Sequence, residues 1–286
     1  MRKPRSVAKA NLQPGELYLS KSRIKMLSRC PAQYEWRYVK GIVLPPSGAL
    51  FTGSTVHYVA AFDYEYKLDA GQTRPLDEVL DFFSDSWDKR EAIIDEDGED
   101  QVGDVDWGGE NKDVLKQTGL DVTRVYHDQG VVNTNPVVVE TSFERGLSIP
   151  LPHDQFGLVR IETILDLIDD DANIIDLKVV GRSKSNADIE GDIEPDLYAP
   201  AMGSEIDMRY HFLVKTKIPK YEPVSTTRSR DCIAWVQNDL LPPLYRMVTA
   251  GVFPKNTEGW LCSPSYCGYY SLCRPTSKVM PKGFGI

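Results

Sequence analysis

The chain has 286 residues, with 42 acidic and 33 basic side chains, and 41% of its residues are hydrophobic. This composition is typical of a globular protein and excludes disordered, collagen-like and coiled-coil chains. No apolar run approaches the roughly 20 residues that span a bilayer, which excludes an integral membrane protein. The basic residues 1–5 are not followed by an apolar segment and a cleavage site, so we expect a cytoplasmic protein.

The first part of the chain is predicted to be mainly helical. Ser20 can cap a helix in which Ile24 and Leu27 lie on one apolar face. A second helix is predicted from about Gly53. Two further helices are expected over residues 75–93 and 110–128.

An acidic segment over residues 95–113 separates these last two helices. It holds nine acidic residues and one base, Lys112, so it carries −8 of the net charge of −9. It is rich in glycine and shows no apolar periodicity. We interpret it as a solvated, mobile insertion, which leaves the rest of the chain nearly neutral.

The pattern then changes to strands. Runs rich in β-branched and apolar residues predict strands over 136–143, 156–168, 173–180 and 208–215. A turn over residues 169–172 joins the second and third strands as a hairpin. A short helix near 193–204 and a long helix over about 226–250, kinked by Pro242 and Pro243, complete the pattern.

The hairpin carries Asp166 on one strand and Asp176 and Lys178 on the next. A spacing of two residues places Asp176 and Lys178 on the same face of their strand. Carboxylate oxygens are the ligands that magnesium and manganese prefer, and a nearby lysine can orient or deprotonate a water. The same pattern alone also fits a strand pair with solvated charges and a salt bridge.

Three of the five cysteines lie within 12 residues, as Cys262, Cys267 and Cys273. Thiolates gathered in this way favour an iron–sulfur cluster or a zinc ion. Three ligands require a fourth, and Cys30, which follows the first predicted helix, is the candidate. Cys232 lies in an apolar run and is predicted to be a buried structural thiol. The odd number argues against a disulfide framework.

Several motifs, each weak alone, follow one another along the chain. They are the segment Leu19–Ile24 with Cys30-Pro31, Gly53-x3-His57, Asp166, Asp176-Leu177-Lys178, Glu194-x3-Tyr198 and the three late cysteines. In this order they resemble the iron–sulfur branch of the RecB-type PD-(D/E)XK nucleases. That branch includes the AddB nuclease domain, CRISPR-associated adaptation nucleases and many phage exonucleases. The landmarks extend from residue 19 to residue 273.

The resemblance implies an α/β fold with a restriction-endonuclease-like core, in which helices flank a mixed central sheet. It implies a single nuclease domain over residues 1–286. Its parts are a mainly helical part over 19–130, a catalytic sheet core over 131–225, and a C-terminal helix with the iron–sulfur segment over 226–286.

The resemblance also assigns roles at the site. His57, Asp166 and Asp176 are implied ligands of Mg²⁺ or Mn²⁺, assisted by the carbonyl of Leu177. Lys178 is implied to position the attacking water. Asp166, Asp176 and Lys178 form the implied catalytic set.

Some positions depart from the family pattern or stand outside its core. Thr163 occupies a place where the family often has glycine, three residues before Asp166. Glu194 stands where the family has glutamine, which adds negative charge near Tyr198. Glu140 resembles a family glutamate that we leave outside the core site.

The surface predicted to bind DNA is basic. Its candidate contacts are Tyr198, Glu194, Arg23, Arg182 and Lys184, with Lys25, Arg37 and Lys40 as further bases near the first helix. The aromatic residues around the cysteines are interpreted as packing groups rather than as base-stacking platforms.

These features together predict a metal-dependent DNA exonuclease that hydrolyses phosphodiester bonds at DNA ends or in single strands. Recombination, repair and phage DNA processing are the implied settings, in the cytoplasm of a bacterium or a phage-infected cell. The predicted cofactors are Mg²⁺ or Mn²⁺ and a 4Fe–4S cluster, with Zn²⁺ as the alternative to the cluster. DNA is the predicted partner, and a second copy of the chain or a recombination protein is a further one. The alternative is a non-catalytic nucleic-acid-binding or assembly subunit that keeps the nuclease-like fold.

Overall fold

The computed structural model describes residues 12–89 and 104–274. In this part of the chain, six strands form one mixed sheet. The strands are β1 (Glu16–Ser20), β2 (Pro136–Leu151), β3 (Gln155–Asp169), β4 (Ile174–Val180), β5 (Ile206–Val214) and β6 (Lys220–Arg228). Strands β1, β3, β4, β5 and β6 are neighbours in that order, and β2 pairs with the other edge of β3. The β1–β3 and β4–β5 pairs are parallel, whereas the other pairs are antiparallel.

Helices occupy the chain before, between and after the strands. They are α1 (Lys21–Arg29), α2 (Pro31–Tyr34), α3 (Gly48–Ala70), α4 (Leu76–Lys89), α5 (Lys112–Tyr126), α6 (Asn186–Glu190), α7 (Glu194–Met202), α8 (Arg230–Trp235), α9 (Leu241–Ala250) and α10 (Tyr270–Cys273). Among the described helices, none is both long and apolar enough to cross a membrane.

The sheet and helices bury their apolar side chains in three clusters. The first packs α3, α4 and α5 against β3, β4 and β5, and Leu177 belongs to it. The second packs α1 and α9 against β1, β2 and β3, around Leu19 and Ile161. The third packs α7 against β5, around Tyr198 and Tyr210. Burial of this apolar surface is the main force that holds the helices on the sheet, and the predicted mixed sheet with flanking helices is confirmed.

The strand β3 forks between two neighbours along one edge. Its first part pairs with β1, through Leu158 to Glu162. Its last part pairs with β4, through Leu167 and Ile168 only. Between these two pairings β3 has no strand partner on this edge within the described residues, which leaves an open fork in the sheet.

Two element boundaries differ from the sequence-based expectation. The strand β1 was not predicted, because its five residues become a strand through parallel pairing with β3 rather than through a local pattern. The long helix expected from about 226 begins later, because β6 pairs with β5 as far as Arg228 and Ser229 caps α8. The chain then makes a π-helical turn over Val236–Leu240, directly before the first turn of α9, where Pro242 and Pro243 are tolerated.

The acidic segment is only partly the solvated insertion that its charge suggests. Residues 95–103 lie outside the described residues. Val105 is buried in the first apolar cluster, and the indole of Trp107 packs edge-on against Phe51. The backbone of Asp106 exchanges hydrogen bonds with residues 46 and 48 at the start of α3. The interpretation of the whole segment as solvated is therefore wrong for Val105, which is buried, and for Trp107, which is partly buried, because the charge count overlooked these two apolar side chains.

Candidate active site

A cleft of about 420 Å³ opens at the fork in β3. Three parts of the fold meet there: the junction of β1 and α1, the first turns of α3, and the strands β3 and β4. Its charged and titratable lining residues are Lys21, His57, Glu162, Asp166, Asp176, Lys178 and Lys215. The cleft therefore collects four of the sequence-predicted site residues in one place.

Asp166 lies at the point where β3 and β4 separate. The last ladder pair before the fork is Leu167 with Ile175, so the next register position places Asp166 opposite Asp176. Oδ2 of Asp166 accepts a hydrogen bond from the backbone N–H of Leu177 at 2.9 Å. Its Oδ1 lies 3.2 Å from Nδ1 of His57, which α3 carries into the cleft.

Asp176 is buried, with 3% of its surface exposed. Its Oδ1 accepts a hydrogen bond from the hydroxyl of Tyr198 at 2.6 Å. Its Oδ2 lies 2.7 Å from Nζ of Lys178, so the two side chains lie on the same side of β4, as their spacing predicts. This Oδ2 accepts no hydrogen bond of normal geometry within the described residues, and its contact with Lys178 is ionic.

Glu194 begins α7 and is also buried. Three lysines contact its carboxylate in the described part of the chain. Nζ of Lys21 lies 2.5 Å and Nζ of Lys178 lies 2.8 Å from its Oε1. Nζ of Lys25 lies 2.6 Å from its Oε2. The Glu194 carboxylate is thus surrounded by three lysine ammonium groups, two of which also lie near Asp176.

Burial and charge act in opposite directions on these groups. Burial raises the pKa of Glu194, but the charges of Lys178, Lys21 and Lys25 outweigh it and hold this pKa well below its usual value. Burial lowers the pKa of Lys178, but Asp176 and Glu194 outweigh it and hold this pKa well above the usual lysine value. The lysine is therefore a protonated ammonium in this arrangement, suited to orienting a water or a phosphate rather than to removing a proton.

Lys21 reaches the cleft because of the local structure around it. The strand β1 ends at Ser20, whose register partner on β3 is Glu162. The side chain of Ser20 then caps α1 by accepting from the backbone N–H of Arg23. Lys21 is the first residue of that helix, so its side chain lies at the edge of the fork.

Some of the predicted DNA contacts are buried, whereas others lie at the surface. Glu194 and Tyr198 are buried, and their polar groups are engaged by lysines and by Asp176. Arg182 is exposed and pairs with Asp188 at 2.7 Å, on the loop that follows β4. The guanidinium of Arg23 lies over the ring of Tyr38 at 3.9 Å. Lys184 is not among the residues that line the cleft.

Glu140 lies close to the cleft although we left it outside the core site. The β2–β3 register places it opposite Asp166, between the pairs Val139–Leu167 and Thr141–Leu165. Its backbone has φ = 40°, a left-handed conformation that is costly for a side chain other than glycine. Together with His57 and Asp166 it lines a small pocket beneath the cleft.

Three charged residues of the cleft were missed by sequence reasoning, namely Lys21, Glu162 and Lys215. Glu162 is buried and accepts a hydrogen bond from the hydroxyl of Tyr18. Its position four residues before Asp166 on one strand is a signal that could have placed it on the same face. Lys21 offers no such signal, because only the meeting of β1, α1 and α7 brings it to the site.

The four predicted ligand cysteines line a second cavity of about 150 Å³. Its thiols come from Cys30, Cys262, Cys267 and Cys273, so this cavity joins the end of α1 to the C-terminal segment. Cys232 lies elsewhere and donates a hydrogen bond to Asp196 at 3.1 Å. Cys232 thus lies apart from the four cavity cysteines, and it is half-buried rather than buried as the apolar run predicted.

In the described part of the chain, neither cavity presents a compact metal-binding group. Within residues 12–89 and 104–274, no group of three or more histidine, cysteine, aspartate or glutamate side chains is arranged so that it could hold a metal ion. The donor chemistry nevertheless fits the predicted groups. The cleft offers carboxylates, an imidazole and a buried Asp176 oxygen without a hydrogen bond, whereas the cysteine cavity offers thiols.

A family model described as the PD-(D/E)XK nuclease superfamily matches residues 18–274. The chain belongs to this superfamily. The match covers the fork of β3, the four predicted active-site residues and all five cysteines. Membership in the superfamily supports a nuclease.

The fold of this superfamily member is also found in a crystal structure from Eubacterium rectale, of a protein described as a "putative exonuclease". The two share 15% sequence identity and a TM-score of 0.52, and the similarity covers 98% of this chain and 93% of that one. It shows the predicted restriction-endonuclease-like fold. The structure of SSO0001 is 11% identical, with a TM-score of 0.31 and coverage of 90% of this chain and 96% of that one. No curated protein matches the chain.

Proposed function

We propose that this protein is a divalent-metal-dependent deoxyribonuclease that hydrolyses phosphodiester bonds at DNA ends or in single strands. The observation that carries the proposal is the placement of Asp166 opposite Asp176 at the fork, with the Lys178 ammonium against Asp176. Two carboxylates and a lysine converging on an open cleft form a site suited to phosphoryl transfer.

The groups that would hold Mg²⁺ or Mn²⁺ are His57, Asp166, Asp176 and the carbonyl of Leu177. When bound, such a metal polarises the phosphoryl oxygen and lowers the pKa of a water. The water and the phosphate are oriented by side chains of the cleft. Lys178, held as an ammonium by Asp176 and Glu194, orients the attacking water and offsets charge that develops on the phosphate.

The orientation of the two carboxylates depends on hydrogen bonds from the protein. The backbone N–H of Leu177 holds Asp166, and the hydroxyl of Tyr198 holds Asp176. Because both donors belong to regular elements, the carboxylates are kept in place before substrate binds. Glu194 and Tyr198 then act behind the cleft rather than as direct contacts to DNA.

We infer that Cys30, Cys262, Cys267 and Cys273 hold a 4Fe–4S cluster, with Zn²⁺ as the alternative. The lining of one cavity by all four thiols supports this assignment. Such a centre would join the end of α1 to the C-terminal segment, because Cys30 and Cys262 are far apart in the sequence. Its effect on cleavage would be exerted through stability and the position of α1.

The wider setting follows from the same proposal. We propose that residues 1–286 act as one nuclease domain in a bacterial or phage-infected cytoplasm, in recombination, repair or phage DNA processing. DNA is the proposed partner, and a second copy of the chain or a recombination protein is a further one. The basic residues near α1 and after β4 would contact phosphates.

The deciding experiment is a time course on end-labelled DNA, linear and circular, single- and double-stranded. Each substrate is incubated with Mg²⁺, with Mn²⁺ and with EDTA. We expect cleavage of linear substrates with either metal, none with EDTA, and none by a folded Asp176→Asn variant. Cleavage that persists in the Asp176→Asn variant would overturn the site assignment. Tight DNA binding without cleavage would instead identify the non-catalytic binding subunit.

A further inference from the structure

Lys21 contacts buried groups at the cleft and behind it. Its Nζ lies 2.5 Å from Oε1 of Glu194 and 2.7 Å from the hydroxyl oxygen of Tyr198. It lies 3.6 Å from Oδ1 of Asp176. The side chain is 14% exposed, so these contacts are largely shielded from water. Lys21 therefore belongs to the site although sequence reasoning assigned it no role there, as a member only of the opening segment Leu19–Ile24.

Glu194 competes with Asp176 for the ammonium of Lys178. Nζ of Lys178 lies 2.7 Å from Asp176 and 2.8 Å from Glu194, so the two carboxylates hold it about equally closely. A buried carboxylate that loses a cationic partner is costly, and it would draw the remaining ammonium groups towards itself. Lys21 contacts the same Oε1 of Glu194 that Lys178 contacts.

We propose that Lys21 is a positioning residue, which neutralises Glu194 and so leaves Lys178 at Asp176. This inference rests on the proposed nuclease function, in which Lys178 acts beside Asp176. A neutral glutamine at position 194 would not compete for Lys178, and would make Lys21 unnecessary. Lys21 and Glu194 thus form a matched pair, in which the lysine compensates for the carboxylate.

Lys25 contacts Glu194 in a different way and does not duplicate this role. It meets the other carboxylate oxygen, Oε2, and its side chain is 38% exposed. Water therefore screens its charge more strongly than that of Lys21. Lys21 alone of these two bases also contacts Tyr198, whose hydroxyl holds Asp176.

The kinetic test is a cycle of Lys21→Met, Glu194→Gln and the double variant, compared at saturating Mg²⁺. We expect Lys21→Met to lower kcat by about tenfold or more while KM for DNA changes by less than about twofold. With Gln at position 194, the same lysine substitution should lower kcat by less than about threefold. An equal loss in both backgrounds, or an unchanged kcat in Lys21→Met, would overturn the inference.

The matched control is Lys116→Met, which removes a lysine paired with Asp88 on another part of the surface. It should retain the kcat of the wild type. If Lys21 were only a phosphate contact, its substitution would raise KM and flatten the salt dependence of binding while sparing kcat. That result would also overturn the inference.

A second readout does not depend on cleavage. In a crystal structure of the Lys21→Met variant, we expect Nζ of Lys178 to have left Asp176 for Glu194. In the double variant it should contact Asp176 again. Lys178 remaining against Asp176 in the single variant would refute the positioning role. A wild type that fails to cleave DNA would count against the proposed function, whereas this structural comparison would still decide the role of Lys21.

Discussion

The backbone N–H of Leu177 donates a hydrogen bond to Oδ2 of Asp166 across 2.9 Å. In an unbroken hairpin the inner edge of β4 would bond to the backbone of β3, but the two strands pair only through Leu167 and Ile168. The carboxylate of Asp166 therefore satisfies a strand N–H that would otherwise be left without a partner in the fork. The same bond fixes the direction of the carboxylate. The separation of β3 from β4 therefore makes room for the Asp166 side chain and also sets its orientation.

Removal of the Asp176 side chain should destabilise the protein as well as inactivate it. An Asp176→Ala change leaves Lys178 and Lys21 without one of their carboxylate partners. We expect the free energy of unfolding to fall by about 2–4 kcal/mol. Asp176→Asn keeps an acceptor for the hydroxyl of Tyr198 and should lose less stability. Urea unfolding of the metal-free proteins checks the difference. Equal stability of the alanine variant and the wild type would contradict the ion-pair geometry.

The stability provided by Glu194 should depend on pH in a defined direction. Burial raises its pKa, but three lysines outweigh burial and hold the pKa well below 4.5. A group with a lowered folded-state pKa stabilises the protein above its unfolded pKa, and this stability is lost as the pH falls towards the folded pKa. We expect the wild type to exceed Glu194→Gln in stability at pH 7, and the difference to shrink below about pH 4.5. Urea unfolding between pH 3 and pH 7 measures it, and a difference that grows with acidity would contradict the prediction.

The acidic segment should divide into a dispensable and an indispensable part. Replacing residues 95–103 with a neutral linker removes five acidic side chains and should preserve the fold. Binding to DNA should be unchanged or tighter at low salt, because repulsion of the phosphates is reduced. Loss of cleavage in the folded linker variant would contradict this division.

A single change at Val105, inside the acidic segment but after the replaced residues 95–103, should be more damaging than the whole replacement. Val105 is 5% exposed and packs in the first apolar cluster. Val105→Ala is expected to cost about 1–2 kcal/mol, from lost burial and the cavity left behind. Thermal unfolding of the two variants side by side measures the contrast. A Tm for Val105→Ala equal to that of the wild type would show that Val105 is not part of the core.

The four cavity cysteines should be required for the iron–sulfur centre, whereas Cys232 should not. Protein prepared without oxygen is expected to contain iron and acid-labile sulfide, and to lose both when one of the four cavity cysteines becomes serine. Cys232→Ser should retain them, since that thiol bonds to Asp196 away from the cavity. Zinc without iron in such preparations would favour the alternative centre.

The reactivity of the thiols gives an independent check. Burial, followed by the hydrogen bond to Asp196 and the charge of that residue, raises the pKa of Cys232 to about 12. Because the thiolate is the nucleophile, Cys232 should resist alkylation at pH 8. Mass spectrometry after iodoacetamide treatment of the native protein measures the modified fraction. Rapid modification of Cys232 would contradict its placement.

Local patterns in the sequence were sufficient for part of this description. The two-residue spacing of Asp176 and Lys178 placed both on one side of a strand, because side chains alternate along extended backbone. The helices around His57 and Glu194, and the hairpin that carries Asp166, followed from periodicity, capping residues and turn signals. The order of motifs along the chain was sufficient for the PD-(D/E)XK nuclease superfamily.

The tertiary structure alone decided which distant groups meet in the cleft. Lys21 and Glu194 are 173 positions apart, and their 2.5 Å contact depends on how β1, α1 and α7 pack around the fork. Val105 and Trp107 likewise became core residues only when the start of α3 lay beside them. Periodicity reports the conformation of neighbouring residues, whereas such contacts arise from the burial of apolar surface between elements far apart in the chain. The sequence by itself therefore determined the superfamily and the placement of Asp176 and Lys178 on one side of a strand, and packing determined the charges that surround them.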